Sequence, residues 1–315
     1  MTETALTHPN PDNAVDSSDH CLNCGTPLTG KYCTECGQPT RLPSLSFWLL
    51  LKELVEDLWD VDSKTWRSLA PLMFKPGYLT NAYFAGRRAR YVSPLRLYMT
   101  VSVLFFVIAA ITDNTIRLSW EDPGAERATT ESMWATANTN ILIAEGVGCD
   151  VILQDVEARW LQDWRKRAVI ACEKVTADSG QSLERAAIDN TPIMMVVFIP
   201  VLALVMKLLY RGSKPYFMEH LVFFMHFHAF GFIVLILDIF YYELGSAFGW
   251  PNLAWRIVAS IAATYMAVYL LVAMRRVYAQ GWLITSAKYL LLYLAYFVGL
   301  SLSLTIVVIY TAMTL

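Results

Sequence analysis

The sequence predicts a mainly α protein: a polytopic bundle of about five transmembrane helices with a small cysteine-bearing module near the N-terminus. Composition carries the first half of that reading. Of 315 residues, 56% are hydrophobic and only 17% charged, against about 45–50% and 25% in soluble domains. Mean hydropathy is positive. The apolar residues are also not spread evenly. They fall in blocks of about 17 or more, the length at which a helix begins to cross a bilayer. The second half rests on two Cys-x-x-Cys pairs close together near the N-terminus. A net charge of −2 excludes a whole-chain polyanion binder. Six cysteines in 315 residues are too few for a secreted disulfide scaffold.

Residues 1–20 form a polar, acidic leader with Glu3, Asp12, Asp16 and Asp19. They hold too little apolar surface for a core and are expected to be disordered. The basic and apolar regions of a signal peptide are absent.

Residues 21–40 are expected to be a four-cysteine zinc ribbon. Cys21/Cys24 and Cys33/Cys36 are each followed by a glycine, Gly25 and Gly37, which permits the tight turn. Each Cys-x-x-Cys turn offers two thiolates, and a tetrahedral Zn2+ takes four at about 2.3 Å. So short a unit has no core of its own, so the metal would supply its folding free energy. One structural zinc is the expected cofactor. Two disulfides, a redox pair or free thiols are the alternatives, but redox Cys-x-x-Cys motifs occur singly in a βαβ setting. A closed four-thiolate site leaves no open coordination position, which argues against catalysis there.

Residues 42–93 read as amphipathic helices followed by a basic juxtamembrane segment. Trp48, Leu51, Leu54, Val55 and Leu58 recur at helical spacing opposite Lys52, Glu53, Glu56, Asp57 and Asp60. That acidic face argues for docking on protein rather than on a membrane surface. A second apolar set runs through Trp66, Leu69, Leu72 and Met73 before Lys75-Pro76-Gly77 breaks the chain. Arg87, Arg88 and Arg90 stand directly before the first span. They are candidates for lipid head-group contact, or an ordinary positive-inside flank.

The membrane domain is placed at 94–315. Its spans are expected near Leu95–Ile111, Ile193–Leu209, Leu221–Phe240, Leu253–Met274 and Tyr289–Ala312. Pro94, Pro192, Pro215 and Pro251 introduce four of them, since a proline at the first helical position forfeits no hydrogen bond. Ser93 and Thr191 are candidate N-caps. The region up to Arg96 holds ten Lys/Arg, and the turns at Lys207–Lys214 and Arg275–Lys288 hold six more. By the positive-inside rule these lie in the cytoplasm, with the 112–190 loop and the C-terminus outside. Tyr241, Tyr242, Trp250 and Trp255 are expected to form an aromatic belt at one boundary. The 112–190 loop carries Cys149 and Cys172 within or beside a helical pattern over about 150–175. One straight helix would hold them about 34 Å apart, too far to bond; a disulfide, within the chain or between chains, is the alternative.

The ribbon ending Tyr-Cys-Thr-Glu-Cys-Gly-Gln (32–38), the amphipathic stretch, Gly-Arg-Arg-Ala-Arg-Tyr-Val-Ser-Pro-Leu-Arg (86–96) and Glu-His-Leu-Val-Phe-Phe-Met-His-Phe-His (219–228) come in that order. In this order they resemble a family of bacterial integral membrane proteins headed by a zinc ribbon and filed as a domain of unknown function. The likeness covers most of the chain except the leader and the outer loop. It implies a multi-pass protein of the bacterial inner membrane and brings no activity with it.

The third span supplies the other candidate site: Glu219, His220, His226, His228 and Asp238. Ionisable groups in an apolar helix are candidates for function. At about 100° per residue, however, His226 and His228 lie roughly 200° apart, so one helix cannot chelate an ion with both. Interhelical hydrogen bonds are the favoured role. The chain has no Gly-rich phosphate loop, nucleophile elbow or His-Glu-x-x-His motif, so no enzyme is expected. Two functions follow. One is a membrane-anchored interaction or sensing module whose ribbon docks a cytoplasmic protein partner. The other is a small permease or channel using the polar residues of the third span. Nucleic acid is not an expected partner, because Lys31 is the one basic residue between Cys21 and Gly37.

Overall fold

The computed structural model describes residues 20–40, 63–112, 181–212 and 216–314, with isolated positions between 162 and 173. The leader, the helix expected around residues 48–58, and Cys149 and Cys172 lie outside the described residues.

Among the described residues seven helices follow the cysteine module: α1 (Ser63–Phe74), α2 (Tyr78–Phe84), α3 (Pro94–Ile111), α4 (Gln181–Leu209), α5 (Phe217–Ala247), α6 (Asn252–Tyr278) and α7 (Trp282–Thr314). Four are long and apolar enough to cross a membrane, on Pro94–Ile111, Phe217–Ala247, Leu253–Tyr278 and Trp282–Ser303. The fifth expected span falls on α4, whose apolar stretch Met194–Leu209 is shorter. The expectation of a helix start at Thr191-Pro192 is corrected. α4 runs unbroken from Gln181, so Thr191 and Pro192 lie inside it. The polar residues before Pro192 are good helix formers, and composition alone cannot separate them from a loop. The start at Pro94, with Ser93 as N-cap, stands. At α6 the proline itself, Pro251, is the N-cap.

α5 is the hub. Val222, Phe224, Ala229 and Phe230 have no exposed surface. Phe232 stacks on Phe105 of α3 at 5.0 Å, and Phe230 on Tyr269 of α6 at 3.8 Å. Tyr296 of α7 meets Phe224 and His228. α4 and α7 close together at Gly299, where a Cβ would sit 2.8 Å from the Phe198 ring. Outward-facing Leu253, Ile257, Ile261, Leu290, Leu294 and Phe297 are exposed and apolar, as a surface solvated by lipid requires.

α3 has 18 residues, about 27 Å, close to the roughly 30 Å of hydrocarbon. α5 has 31 residues, about 46 Å, so it outreaches α3 by several turns. The α1–α2 hairpin is hydrogen-bonded to α6. Tyr269 donates to the Leu72 carbonyl at 2.6 Å, and Tyr265 donates to that of Met73. Arg276 Nη1 reaches the Pro76 carbonyl at 2.8 Å, and Asn81 Nδ2 donates to the Arg276 carbonyl at 3.2 Å. Gly77, at φ 72°, lies against the α6 backbone, where a Cβ would meet Val277 Cγ2 at 2.9 Å and the Ala273 carbonyl oxygen at 3.0 Å. At the other end of the bundle Tyr241 packs on Trp250 and Tyr242 on Trp255, at 5.3 and 5.5 Å, which brings the expected aromatic belt together.

Candidate metal centre

The four cysteines converge through a repeat of twelve residues. Cys21-Leu22-Asn23-Cys24-Gly25-Thr26-Pro27 recurs as Cys33-Thr34-Glu35-Cys36-Gly37-Gln38-Pro39. Both copies fold identically. Cys21 N–H donates to the Thr26 carbonyl and Gly25 N–H to the Cys21 carbonyl, each at 2.8 Å. Cys33 and Gly37 repeat the pattern with Gln38 and Cys33 at 2.9 Å. Gly25 (φ 81°) and Gly37 (φ 69°) take the left-handed conformation that the turn needs. Isolated bridges pair His20 with Pro27 and Tyr32 with Pro39.

The two turns face each other. Cys21 Sγ is 3.6 Å from Cys36 Sγ and Cys24 Sγ 3.4 Å from Cys33 Sγ, and all four lie within 4.8 Å of one another. A disulfide would need about 2.05 Å. Four sulfurs tetrahedral around an ion at about 2.3 Å stand about 3.8 Å apart, so the set fits a bound metal ion. Cys21 and Cys33 are buried and Cys24 is exposed. The Thr26 hydroxyl, 3.3 Å from Cys24 Sγ, is the main cause that lowers the Cys24 thiol to about 6, with the Thr26 backbone second. A lowered value favours thiolate above it and thiol below it.

The equivalent position in the second copy does different work. Gln38 is 3% exposed and leaves the cysteine module altogether. Its Nε2 donates to the Gly86 carbonyl at 2.8 Å, and its Oε1 accepts from the Arg88 and Ala89 amides, both at 3.2 Å. The module is thus fastened to the basic segment ahead of α3. The Cys-Gly-Gln motif by itself assigns Gln38 no role; the signal for one is the repeat, which has a long amide where the first copy has threonine.

The basic segment divides its arginines. Arg88 covers the Tyr83 ring at 4.8 Å and Arg90 the Tyr91 ring at 5.9 Å, while Arg87 is partly buried beside them.

The polar residues of α5 are not brought to one place. His220 is fully buried, and its Nδ1 pairs with the Tyr278 hydroxyl of α6 at 2.8 Å. His226 Nδ1 pairs with the Thr80 hydroxyl of α2 at 3.0 Å. His228 Nδ1 donates to the Phe224 carbonyl of its own helix at 2.8 Å, which fixes the proton on Nδ1. Glu219 sits partly buried in the first turn of α5. Asp238 lies far along the helix, beside the Trp255 indole. His226→Leu is expected to lower stability by about 1 kcal/mol, and by no more than about 2. His226→Gln, which keeps a donor and an acceptor, should stay near the parent in a detergent melting curve. Equal losses in the two variants would show that the Thr80 bond is not the reason His226 is there.

Residues 62–106 match the model of a family described as a protein of unknown function (DUF3667). The chain is similar to that family over α1, α2, the basic segment and most of α3. The match does not reach the cysteine module. No curated protein and no solved structure matches the chain.

Proposed function

We propose that this protein is a membrane-anchored interaction or sensing module of the bacterial inner membrane. Its four cysteines hold one structural Zn2+, and its ribbon docks a cytoplasmic protein partner. The observation that carries the reading is the Gln38 amide held between Gly86 and the Arg88 and Ala89 amides. Through it the ribbon is held at a set place on the membrane domain. Thiolate donors at this spacing suit Zn2+ among the common metals. The ribbon surface available to a partner includes the exposed apolar side chains of Leu22 and Tyr32, 49% and 63% exposed. Lys75, Arg87, Arg88, Arg90 and Arg211 between helices, and Arg275 and Arg276 in the last turn of α6, carry the basic charge flanking the spans, which supports a cytoplasmic N-terminus and an external C-terminus. The protein acts by binding rather than catalysis, since four thiolates fill a tetrahedral ion. A permease built on α5 draws less support, because its three histidines bond to three different elements.

The test is a photo-crosslinking residue at Leu22 or Tyr32 in the full chain, in cells. A discrete protein adduct is expected at both positions and should vanish when Cys33→Ser is added. An adduct that survives Cys33→Ser, or none at either position, would defeat the reading.

A further inference from the structure

We propose that Lys75, Arg87 and Arg90, gathered around the paired hydroxyls of Tyr78 and Tyr91, bind a phosphate group, that of an anionic lipid at the membrane boundary.

Residues 63–112 contain seven Lys/Arg and no Asp or Glu. The fold collects part of this charge from two separate turns. The turn between α1 and α2 brings Lys75 and Tyr78, and the segment before α3 brings Arg87, Arg90 and Tyr91. The two phenol oxygens lie 3.2 Å apart and the rings meet edge to face at 6.1 Å. Lys75 Nζ stands 5.5 Å from the centre of the Tyr78 ring. Arg87, Arg90 and Lys75 all act on the Tyr78 hydroxyl, and Arg87 and Arg90 on that of Tyr91 as well. The Tyr91 hydroxyl first, and these cations after it, hold the Tyr78 phenol below its usual value, which makes it a readier donor. Two hydroxyls own two protons and share one bond, so one O–H remains to donate outward.

Neighbouring cations are used differently. Arg276 is bonded to the Pro76 carbonyl, and Arg275 covers the Trp282 ring at 4.2 Å. Among the described residues no carboxylate forms an ion pair with Lys75, Arg87 or Arg90. Arg90 and Tyr91 come just before Pro94, where the 18-residue α3 begins. That is the depth of head groups, where tyrosine is favoured and basic residues attract anionic lipid. Arginine forks and a phenol donor together suit the oxygens of a phosphodiester. The inference needs only that α3 crosses a membrane, and not the ribbon partner proposed above.

The test is native mass spectrometry of the full chain in neutral detergent, titrated with short-chain phosphatidylglycerol, phosphatidylcholine and inorganic phosphate. Phosphatidylglycerol should bind in preference to phosphatidylcholine. Arg87→Ala with Arg90→Ala should weaken it roughly thirtyfold. Tyr78→Phe with Tyr91→Phe, which keeps the rings and the charge, should weaken it several-fold. Lys207→Ala with Arg211→Ala removes the same charge elsewhere and should leave it unchanged. An equal loss in that control pair would overturn the site. Competition by inorganic phosphate at equal concentration would overturn the lipid as its source. Binding that appears only after Glu53, Glu56, Asp57, Asp60 and Asp62 are neutralised would overturn it too, because the chain's own carboxylates would then be the occupant.

Discussion

Cys33→Ser is expected to abolish stoichiometric metal binding and unfold the ribbon while leaving the helical bundle folded. Cys33 is 3% exposed, and its backbone N–H and C=O close the second turn, so serine there removes a ligand at the best-buried corner of the site. Metal binding in such modules contributes apparent free energies of about 10–16 kcal/mol, far more than so small a unit could gain from apolar burial. The buried core of α3 to α7, by contrast, contains no ribbon residue. The consequence reaches the basic segment ahead of α3 through Gln38. With the second turn unfolded, Gln38 leaves the Gly86 carbonyl and the Arg88 and Ala89 amides. Metal analysis together with hydrogen exchange should therefore show lost metal and lost protection at Ala89, whereas Arg88 keeps its bond to the Gly86 carbonyl. Gln38→Ala separates the two effects. It should keep the metal and lose the same protection, at about 1–3 kcal/mol for the Ala89 amide left unbonded. Full metal occupancy in Cys33→Ser, or unchanged protection in Gln38→Ala, would refute the coupling.

Gly77→Ala is expected to destabilise the docked hairpin by about 2–5 kcal/mol. Two causes add. A residue with a Cβ at φ 72° costs about 1–2 kcal/mol. Its Cβ would also press on Val277 Cγ2 and on the Ala273 carbonyl, an overpacking worth about 1–3 kcal/mol. The backbone neighbour is held in place, because Tyr269, one turn before Ala273 in α6, is itself stacked on Phe230 of α5. Gly249→Ala, in the turn between α5 and α6, is the control. It has a similar φ, 64°, but nothing within 4 Å of the added atom, so only the conformational cost should appear. Melting curves in detergent would report both. Equal effects of the two substitutions would show that the contact with α6 is not what requires Gly77.

Local patterns in the sequence were enough for the metal site and for most of the spans. Cys-x-x-Cys-Gly fixes a turn whose hydrogen bonds close within six residues, so the four ligands could be read without knowing the fold. Blocks of apolar residues likewise announce helices, because in lipid each backbone group must bond within its own segment. The ends of those helices were less legible. α4 begins 13 residues before its apolar stretch and α5 reaches Ala247, since helical hydrogen bonding continues through polar residues once started. The polar residues of α5 were recognised, but not their partners. His226 meets Thr80 across 146 positions, and His220 meets Tyr278 across 58.

What the sequence by itself determined, then, is the inventory: a mainly helical chain, four thiolates at metal spacing, apolar helices of membrane length, and a basic segment ahead of the first. Each depends on interactions within a few residues or on composition. Only the tertiary structure decided how the ribbon is held, where the α1–α2 hairpin lies, and which cations surround Tyr78 and Tyr91. Those outcomes turn on Gln38 finding backbone groups 48 to 51 positions away and on Gly77 admitting α6 to contact. Such pairings leave no periodic trace, because their register is set by helix lengths and close packing in three dimensions rather than by spacing along the chain.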